Sequence, residues 1–250
     1  MSNEIKEWWE KTAKAYQDDA QIPVDIHYGP SSPNEDELRL LGDVAGRNVL
    51  EIGCGGGQCA IAFAKRGANV TGLDLSAEQL KFARALAEEH KAKVEFLQHD
   101  MKDLAPIESE SQDIVFSAFA LMFVEDRLSA FREVLRVIRP GGLFVFSLDH
   151  PFYRKVDPET LKVIESYNET GPAYDEMEGL GKLLMHRYTI SSLHNALVDA
   201  GFIVQRVIEP DSRIRYDYDP WFGRYGYYVP KMLDMVPPTV IFKSMKPADG

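Results

Sequence analysis

The run Val49-Leu50-Glu51-Ile52-Gly53-Cys54-Gly55-Gly56-Gly57-Gln58 limits the possible folds more than any other part of the chain. A short apolar strand runs into glycines, and a helix-compatible segment follows. Glycine is needed where the backbone turns sharply and a ligand must approach the main chain without a Cβ in the way. A strand, a glycine turn and a helix in that order mark the switch-point crevice of an open α/β sheet, where ligands bind. Dinucleotide sites use the spacing GxGxxG. Counted from Gly53, the last position of that pattern is Gln58. The spacing is instead GxGxG, formed by Gly53, Gly55 and Gly57, with Glu51 two residues upstream.

The rest of the chain repeats the alternation. Strands are expected at 48–52, 69–73, 93–97, 113–118 and 143–148. A helix over 58–66 is stopped by Gly67. Ser76 opens the next helix, with Gln79 completing a capping box. Leu128, Phe131, Leu135 and Ile138 share one face of a helix over 125–138, which must stop at Arg139-Pro140-Gly141-Gly142. A helix over 192–200, a strand over 202–208 and a seventh strand over 239–243 follow. Short apolar strands alternating with amphipathic helices mean a parallel sheet covered on both faces. Upstream, Ile5, Trp8, Trp9, Thr12 and Tyr16 lie on one face of a helix over 4–18. A proline-rich loop over 20–34 and a short helix capped by Asn34 come next.

Two stretches break the pattern. Residues 151–189 read as a long connection. Residues 211–230 hold seven aromatics in twenty positions, too many for a disordered linker. Both return to the strand–helix pattern, so 1–250 reads as a single elaborated domain. Its parts are an N-terminal helix and lid (1–34), a core (35–150), an insertion (151–189) and a C-terminal half (190–250).

With 250 residues, 45% of them hydrophobic, the chain can build a large core without disulfides. Its 39 acidic and 28 basic residues give a formal charge of −11, which speaks against nucleic acid or anionic membrane as the main partner. The two cysteines, Cys54 and Cys59, do not have metal or redox-motif spacing, and no metal is expected. The charged start and the lack of a long apolar run point to a cytoplasmic protein without a membrane span.

At the level of motifs the sequence resembles the class I S-adenosylmethionine-dependent methyltransferases. "LEIGCGGGQ" is similar to their first motif, "VTGLDLS" to the second strand, "FLQHDM" to the third and "DIVFSAFA" to the fourth. "REVLRVIRPGGLFVFS" is similar to the helix, turn and fifth strand. The resemblance is strong over about 35–150 and looser beyond. It implies a Rossmann-like, doubly wound α/β fold with a seven-stranded, mostly parallel sheet, an antiparallel last strand, helices on both faces and helical or aromatic cap insertions. It also implies S-adenosyl-L-methionine as cofactor and S-adenosyl-L-homocysteine as product.

The resemblance assigns roles residue by residue. Gly53, Gly55 and Gly57 would line the methionine and ribose part, and Glu51 would accept from the methionine ammonium. Asp74 would take the ribose hydroxyls, since a carboxylate accepts two hydrogen bonds. Leu75 and Met101 would sandwich adenine, and Asp100 would accept from its amino group. Gln58 belongs to the first motif. Gln79 is equally explained by its cap, Ser117 should face the crevice near the sulfonium, and Tyr16 could close over the methionine carboxylate. His150, after strand five, and nearby Tyr153 are the acid–base candidates. His27, His99 and His186 read as solvated.

Methyl transfer from a sulfonium is an in-line displacement with an activated donor, so the protein supplies mainly orientation and exclusion of water. The expected function is methylation of a small molecule by a monomer or homodimer. The long insertions and N-terminal helix would form a lid over the acceptor, with a dimer interface as the rival role for 211–230. Two other functions are weighed: an NAD(P)-dependent Rossmann oxidoreductase, disfavoured by Gln58, Glu51 and the Arg-Pro-Gly-Gly turn, and a non-catalytic S-adenosylmethionine-binding module.

Overall fold

The computed structural model describes residues 3–177, 179–211 and 229–248. The chain begins with α1 (Asn3–Ala20) and the single turn α2 (Glu35–Leu38). The alternating unit follows: β1 (Asn48–Ile52), α3 (Gln58–Lys65), β2 (Asn69–Asp74), α4 (Ala77–Glu89), β3 (Val94–Gln98), β4 (Gln112–Ala118), α5 (Arg127–Val137) and β5 (Ile138–Asp149). Then come the hairpin β6 (Gly171–Met177) and β7 (Gly181–Arg187), α6 (Ile190–Ala200), β8 (Ile203–Ile208), α7 (Pro230–Leu233) and β9 (Thr239–Met245).

Seven strands form one sheet in the order β3-β2-β1-β4-β5-β9-β8. The first five are parallel, and β9 runs antiparallel to both its neighbours. Strand order reverses between β1 and β4, which opens a crevice at their carboxyl ends. One apolar core lies between the sheet and α1, α5 and α6, built on Leu50, Val115, Phe131, Phe144, Phe146 and Leu197. The other lies under α3 and the 24–44 segment, built on Ile26, Tyr28, Val49, Phe63 and Phe116. Both faces are therefore covered, as uninterrupted apolar strands require.

Local chemistry places the ends. Ser76 accepts from the Gln79 amide at 3.2 Å and caps α4, as its sequence predicts. The Gln79 side chain does not close the expected capping box but accepts from Gln17 Nε2 at 2.8 Å. Glu10 of α1 also accepts from the amides of Ala77 and Glu78 at 2.8 and 3.3 Å. A carboxylate at the positive end of a helix is favoured, and this one pins α1 beside the crevice. Gly201, with φ 108°, terminates α6.

Two elements differ from the sequence reading. The Arg-Pro-Gly-Gly turn lies inside β5, as a bulge between the pairs Gln112–Ile138 and Ile114–Leu143. The Lys246 amide donates to the Gly142 carbonyl and the Gly141 amide to the Lys246 carbonyl, so the bulge is tied to the end of the last strand. The 151–189 insertion is not a plain connection or a helical cap. It carries the antiparallel hairpin β6–β7, whose Leu183 and Met185 pack into the core beside α1 and the turn at Leu121–Phe123. The aromatic segment at 211–230 lies almost entirely outside the described residues.

The hairpin is latched by ions. Arg154 Nε donates to Asp149 Oδ2 at 2.6 Å, Arg154 also pairs with Asp175, and Arg187 Nη2 reaches Asp175 Oδ1 at 2.8 Å. Asp149 ends β5 and Asp175 lies in β6, so this chain of charges joins the insertion to the sheet.

Candidate active site

The glycine turn is anchored to the end of β2. The amides of Gly53 and Cys54 donate to the Leu73 carbonyl at 2.7 and 3.0 Å, and the Gly55 amide donates to Asp74 Oδ2 at 2.8 Å. Asp74 Oδ1 accepts from the Ser76 amide at 2.8 Å. Burial pushes the Asp74 carboxyl up to about 6, against the pull of the Ser76, Gly55 and Leu75 amides.

A cavity opens over this turn, lined mostly by apolar surface with a few polar groups, as small-molecule sites are. It gathers Tyr16, Glu51, Gly53, Gly55, Gln58, Asp74, Leu75, Gln79 and Met101 from the sequence reading. Glu51 is 3% exposed, and burial raises its carboxyl to about 8, partly offset by the Ala60 amide. Its Oε2 atom is buried without a hydrogen-bond partner, an expensive arrangement unless a donor arrives from the cavity. Gly53 has φ 69° and lies tightly packed: a Cβ there would meet Ala120 Cβ at 2.3 Å and Met101 Cε at 2.9 Å. At Gly55 a Cβ would meet nothing closer than Gln79 Oε1 at 3.9 Å. That missing Cβ leaves space for a ligand.

Other candidates face elsewhere. Gly57 does not line the cavity. It has φ 81°, and a Cβ there would meet Ala83 Cβ at 2.9 Å, so it serves the close packing of α3 against α4. Ser117 is fully buried, and its hydroxyl donates to the Ile52 carbonyl at 2.9 Å rather than facing the crevice. Asp100 turns back on its own loop, accepting from the Lys102 amide at 3.0 Å. Tyr153 is buried with Val156, Met232, Leu233 and Val236, away from the cavity.

His150 lies in a separate, smaller void with Arg154, His186 and Tyr188. Its Nδ1 accepts from the Phe152 amide at 3.2 Å, which places the ring proton on Nε2, 2.7 Å from Glu209 Oε1. Burial lowers its pKa. A neutral ring with both nitrogens engaged inside the fold is a structural part, not a free base.

The cavity also recruits residues that the sequence reading did not assign. Trp9, Phe119 and Phe123 add aromatic wall. Trp9 stands edge-on to Tyr16 and Phe123, with centroids 5.2 and 5.7 Å away. Gln17 accepts from Gln58 Nε2 at 2.8 Å and donates to Gln79, bridging α1, α3 and α4 over Gly56. His27, read as solvated, is a cavity-lining residue. One signal was available for it: it stands between apolar Ile26 and Tyr28, the alternation of a chain with one buried face.

A doubly wound sheet with a glycine turn, a buried acid ending β2 and an unsatisfied buried acid before the turn is the framework of a ligand-binding crevice. Comparison with known proteins narrows the class. Residues 50–146 match the methyltransferase domain family. The ubiquinone biosynthesis O-methyltransferase of Alkalilimnicola ehrlichii is 39% identical over 109 residues, 44% of this chain and 44% of that protein. That of Bordetella avium is 40% identical over 108 residues, 43% of this chain and 45% of that protein. The match therefore spans less than half the length of these curated relatives. An S-adenosylmethionine-dependent methyltransferase from Mesorhizobium loti superposes with a TM-score of 0.70 at 28% identity, over 84% of this chain and 96% of that one. Over its core the chain is thus similar to the methyltransferase domain family, and in fold to an S-adenosylmethionine-dependent methyltransferase.

The cavity fits that family's cofactor on its own features. The orphaned Glu51 oxygen suits an ammonium, the Asp74 carboxylate on the cavity wall suits a ribose hydroxyl, and Leu75 and Met101 offer apolar surface to a base. Among the described residues no cluster of metal-ligating side chains occurs, and no helix is long and apolar enough to cross a membrane.

Proposed function

We propose that this protein transfers a methyl group from S-adenosylmethionine to a small-molecule acceptor. The observation that carries the reading is the buried, unsatisfied Glu51 carboxyl sharing one cavity with Asp74 and the open side of Gly55. Bound cofactor supplies an activated methyl on a sulfonium. Glu51 holds the ammonium, Asp74 the ribose, and Leu75 with Met101 the adenine. Tyr16 and the Gln17 bridge on α1 close the cavity against water. Exclusion of water strengthens each polar contact and fixes the donor for in-line displacement. Small-molecule specificity is supported by the largely apolar cavity and by the similarity of the core to ubiquinone biosynthesis O-methyltransferases. The −11 charge favours it over nucleic acid.

The same reading takes residues 1–250 as one catalytic unit, because β8 and β9 complete the sheet that β1 begins. Cytoplasmic placement suits two buried cysteine thiols.

Two measurements test this. In calorimetric titrations the protein should bind S-adenosylmethionine and S-adenosylhomocysteine, and not NAD(H). Binding of NAD(H) alone sinks the reading. Cofactor affinity should also rise with pH up to about 8, because the ammonium needs an ionised Glu51 and burial keeps it protonated below that value. Flat affinity between pH 6 and 8.5 would place the ammonium elsewhere.

A further inference from the structure

We propose that the void between the β6–β7 hairpin and the end of β5 binds the carboxylate of a small organic monoanion, and that the bound anion ties the hairpin more firmly to the sheet. The site lies apart from the glycine turn and does not depend on the methyltransferase reading.

Three segments meet at this void. Asp149 and His150 come from the end of β5, Met185, His186 and Arg187 from β7, and Met122 from the Leu121–Phe123 turn after β4. That turn stands between the void and the glycine-turn cavity, with Phe123 lining the cavity and Met122 the void.

One donor in the wall is unspent. Arg187 gives Nη2 to Asp175 Oδ1 at 2.8 Å, but its Nε is buried and has no hydrogen-bond partner. Its neighbours are engaged inside the fold. Arg154 is held by Asp149 and Asp175. The Tyr188 hydroxyl donates to the Asp149 carbonyl at 2.6 Å. His150 is committed to Phe152 and Glu209. A guanidinium N–H left unpaired in a largely buried place is costly. An oxygen acceptor entering the void removes that cost.

Charge selects the kind of acceptor. Arg127 places a third guanidinium behind the wall. It donates to the carbonyls of Leu121 and His186 at 3.4 and 2.6 Å and lies over the Tyr188 ring, 4.8 Å from its centroid. It makes no ion pair among the described residues. Arg127, Arg154, Arg187 and Asp149 all act on the Tyr188 hydroxyl. Three guanidiniums therefore face two carboxylates, Asp149 and Asp175, which leaves an excess of one positive charge (3 − 2). Burial lowers the pKa of both His150 and His186, so neither ring adds charge at neutral pH. Glu209 and Glu125 act on those rings from exposed positions, where salt and water screen them more than the buried groups. One excess charge matches a monoanion better than a phosphate dianion. A carboxylate is the planar partner that a guanidinium N–H fits best. Met122, Pro151 and Met185 add apolar wall beside the cations, which suits the carbon end of an organic acid rather than a bare halide. Because Arg187 belongs to β7 and Asp149 ends β5, an anion held here adds a contact to the existing latch, and a ligand of the native state stabilises it.

The test uses the full chain with sodium acetate as probe, acetamide as its uncharged isostere, and sodium chloride at matched ionic strength. The Arg187 Nε–H resonance, assigned through its own side-chain correlations, reports the site. Hydrogen exchange in β6 and β7 reports the latch. We expect acetate to shift the resonance saturably and to slow exchange in the hairpin. At about ten times its dissociation constant, acetate should raise the melting temperature by roughly 3–5 °C. Acetamide and chloride should do neither. Arg187→Lys keeps the charge and loses the Nε donor, so its acetate affinity should fall about 10–100-fold. In Asp175→Asn a carboxylate is removed from the junction, so acetate affinity should rise and acetate should restore part of the lost hairpin protection. An Nε resonance indifferent to acetate, or responding equally to acetamide or chloride, overturns the proposal, because water or screening then accounts for the void. The wild-type resonance decides this whether or not a variant folds. A carboxylate bound here comes from a free acid or from the methyl acceptor itself. Stabilisation by acetate with undiminished transfer from labelled S-adenosylmethionine to cell-extract metabolites supports the site as one for a free acid. Stabilisation with suppressed transfer supports it as the acceptor's carboxylate site. Absence of any transfer removes the methyltransferase reading and leaves the resonance shift to decide the anion site.

Discussion

Glu51→Gln should make the cofactor-free protein more stable and at the same time cripple cofactor binding. Buried Glu51 holds its proton up to about pH 8, against 4.5 for an ordinary glutamate. Between these values the folded state binds more protons than the unfolded chain, so stability falls as pH rises. Below about 4.5 both states are protonated and nothing is lost. Above about 8 the full penalty is present, of order a few kcal/mol. The amide has no charge to desolvate and escapes it. The expected result is a melting temperature several degrees above wild type at pH 8.5–9, shrinking to no difference at pH 4.5–5. The ammonium contact is lost in the same variant. A hydrogen bond to a charged group is worth ~1.5–3 kcal/mol, so S-adenosylmethionine affinity should fall about 10–100-fold. Thermal unfolding across pH and calorimetric titration measure the two effects. An unchanged melting profile together with wild-type affinity would remove Glu51 from the site.

Asp175→Asn should release the hairpin. Asp175 is buried and faces both Arg154 and Arg187, while Asp149 balances Arg154 from the sheet. Two cations and two anions thus share a largely buried junction. Removing one carboxylate leaves an uncompensated buried guanidinium, which costs ~3–5 kcal/mol. The loss should concentrate in β6 and β7, read as faster amide hydrogen exchange there, with the parallel strands protected until global unfolding. Replacing the junction with apolar side chains, as in Asp175→Leu with Arg187→Met, should recover much of the stability, because no charge is then stranded. Uniform exchange across the whole chain in Asp175→Asn would mean that the latch is not local.

The parallel sheet was largely legible because its determinants are local. Apolar runs, glycine stops and capping residues mark β1, α3 and β2 within a residue of their observed bounds, and the start of α4. The hairpin β6–β7 was not. Its alternation is weak, and Tyr174 remains 56% exposed while Leu183 and Met185 are buried, so only pairing across the turn reveals it. The bulge in β5 escaped for a related reason. Pro140 and Gly141 look like a terminator, and only the registers with β4 and β9 show the strand continuing past them.

The site divides along the same line. The glycine turn with Glu51 and Asp74 could be read from spacing, because a short turn between strand and helix brings these residues together in any chain of this pattern. Orientation could not be read. Ser117 turns inward to Ile52 while its neighbours Ala118 and Phe119 line the cavity, and a shift of one residue along a strand reverses the face. Gly57 serves helix packing while Gly55, two residues earlier, faces open space. Histidine roles were exchanged by burial: His150 is consumed by the fold, and His27 enters the cavity.

By itself the sequence determined the class of fold and the cofactor-binding turn, since both rest on short-range backbone geometry and on side-chain periodicity. Tertiary structure alone decided what closes the cavity. Trp9, Gln17, His27, Phe119 and Phe123 reach the glycine turn from segments roughly 25 to 70 residues away along the chain. Their convergence depends on how α1 and the 24–44 segment pack on opposite faces of the sheet, and that long-range packing leaves no local spacing to read.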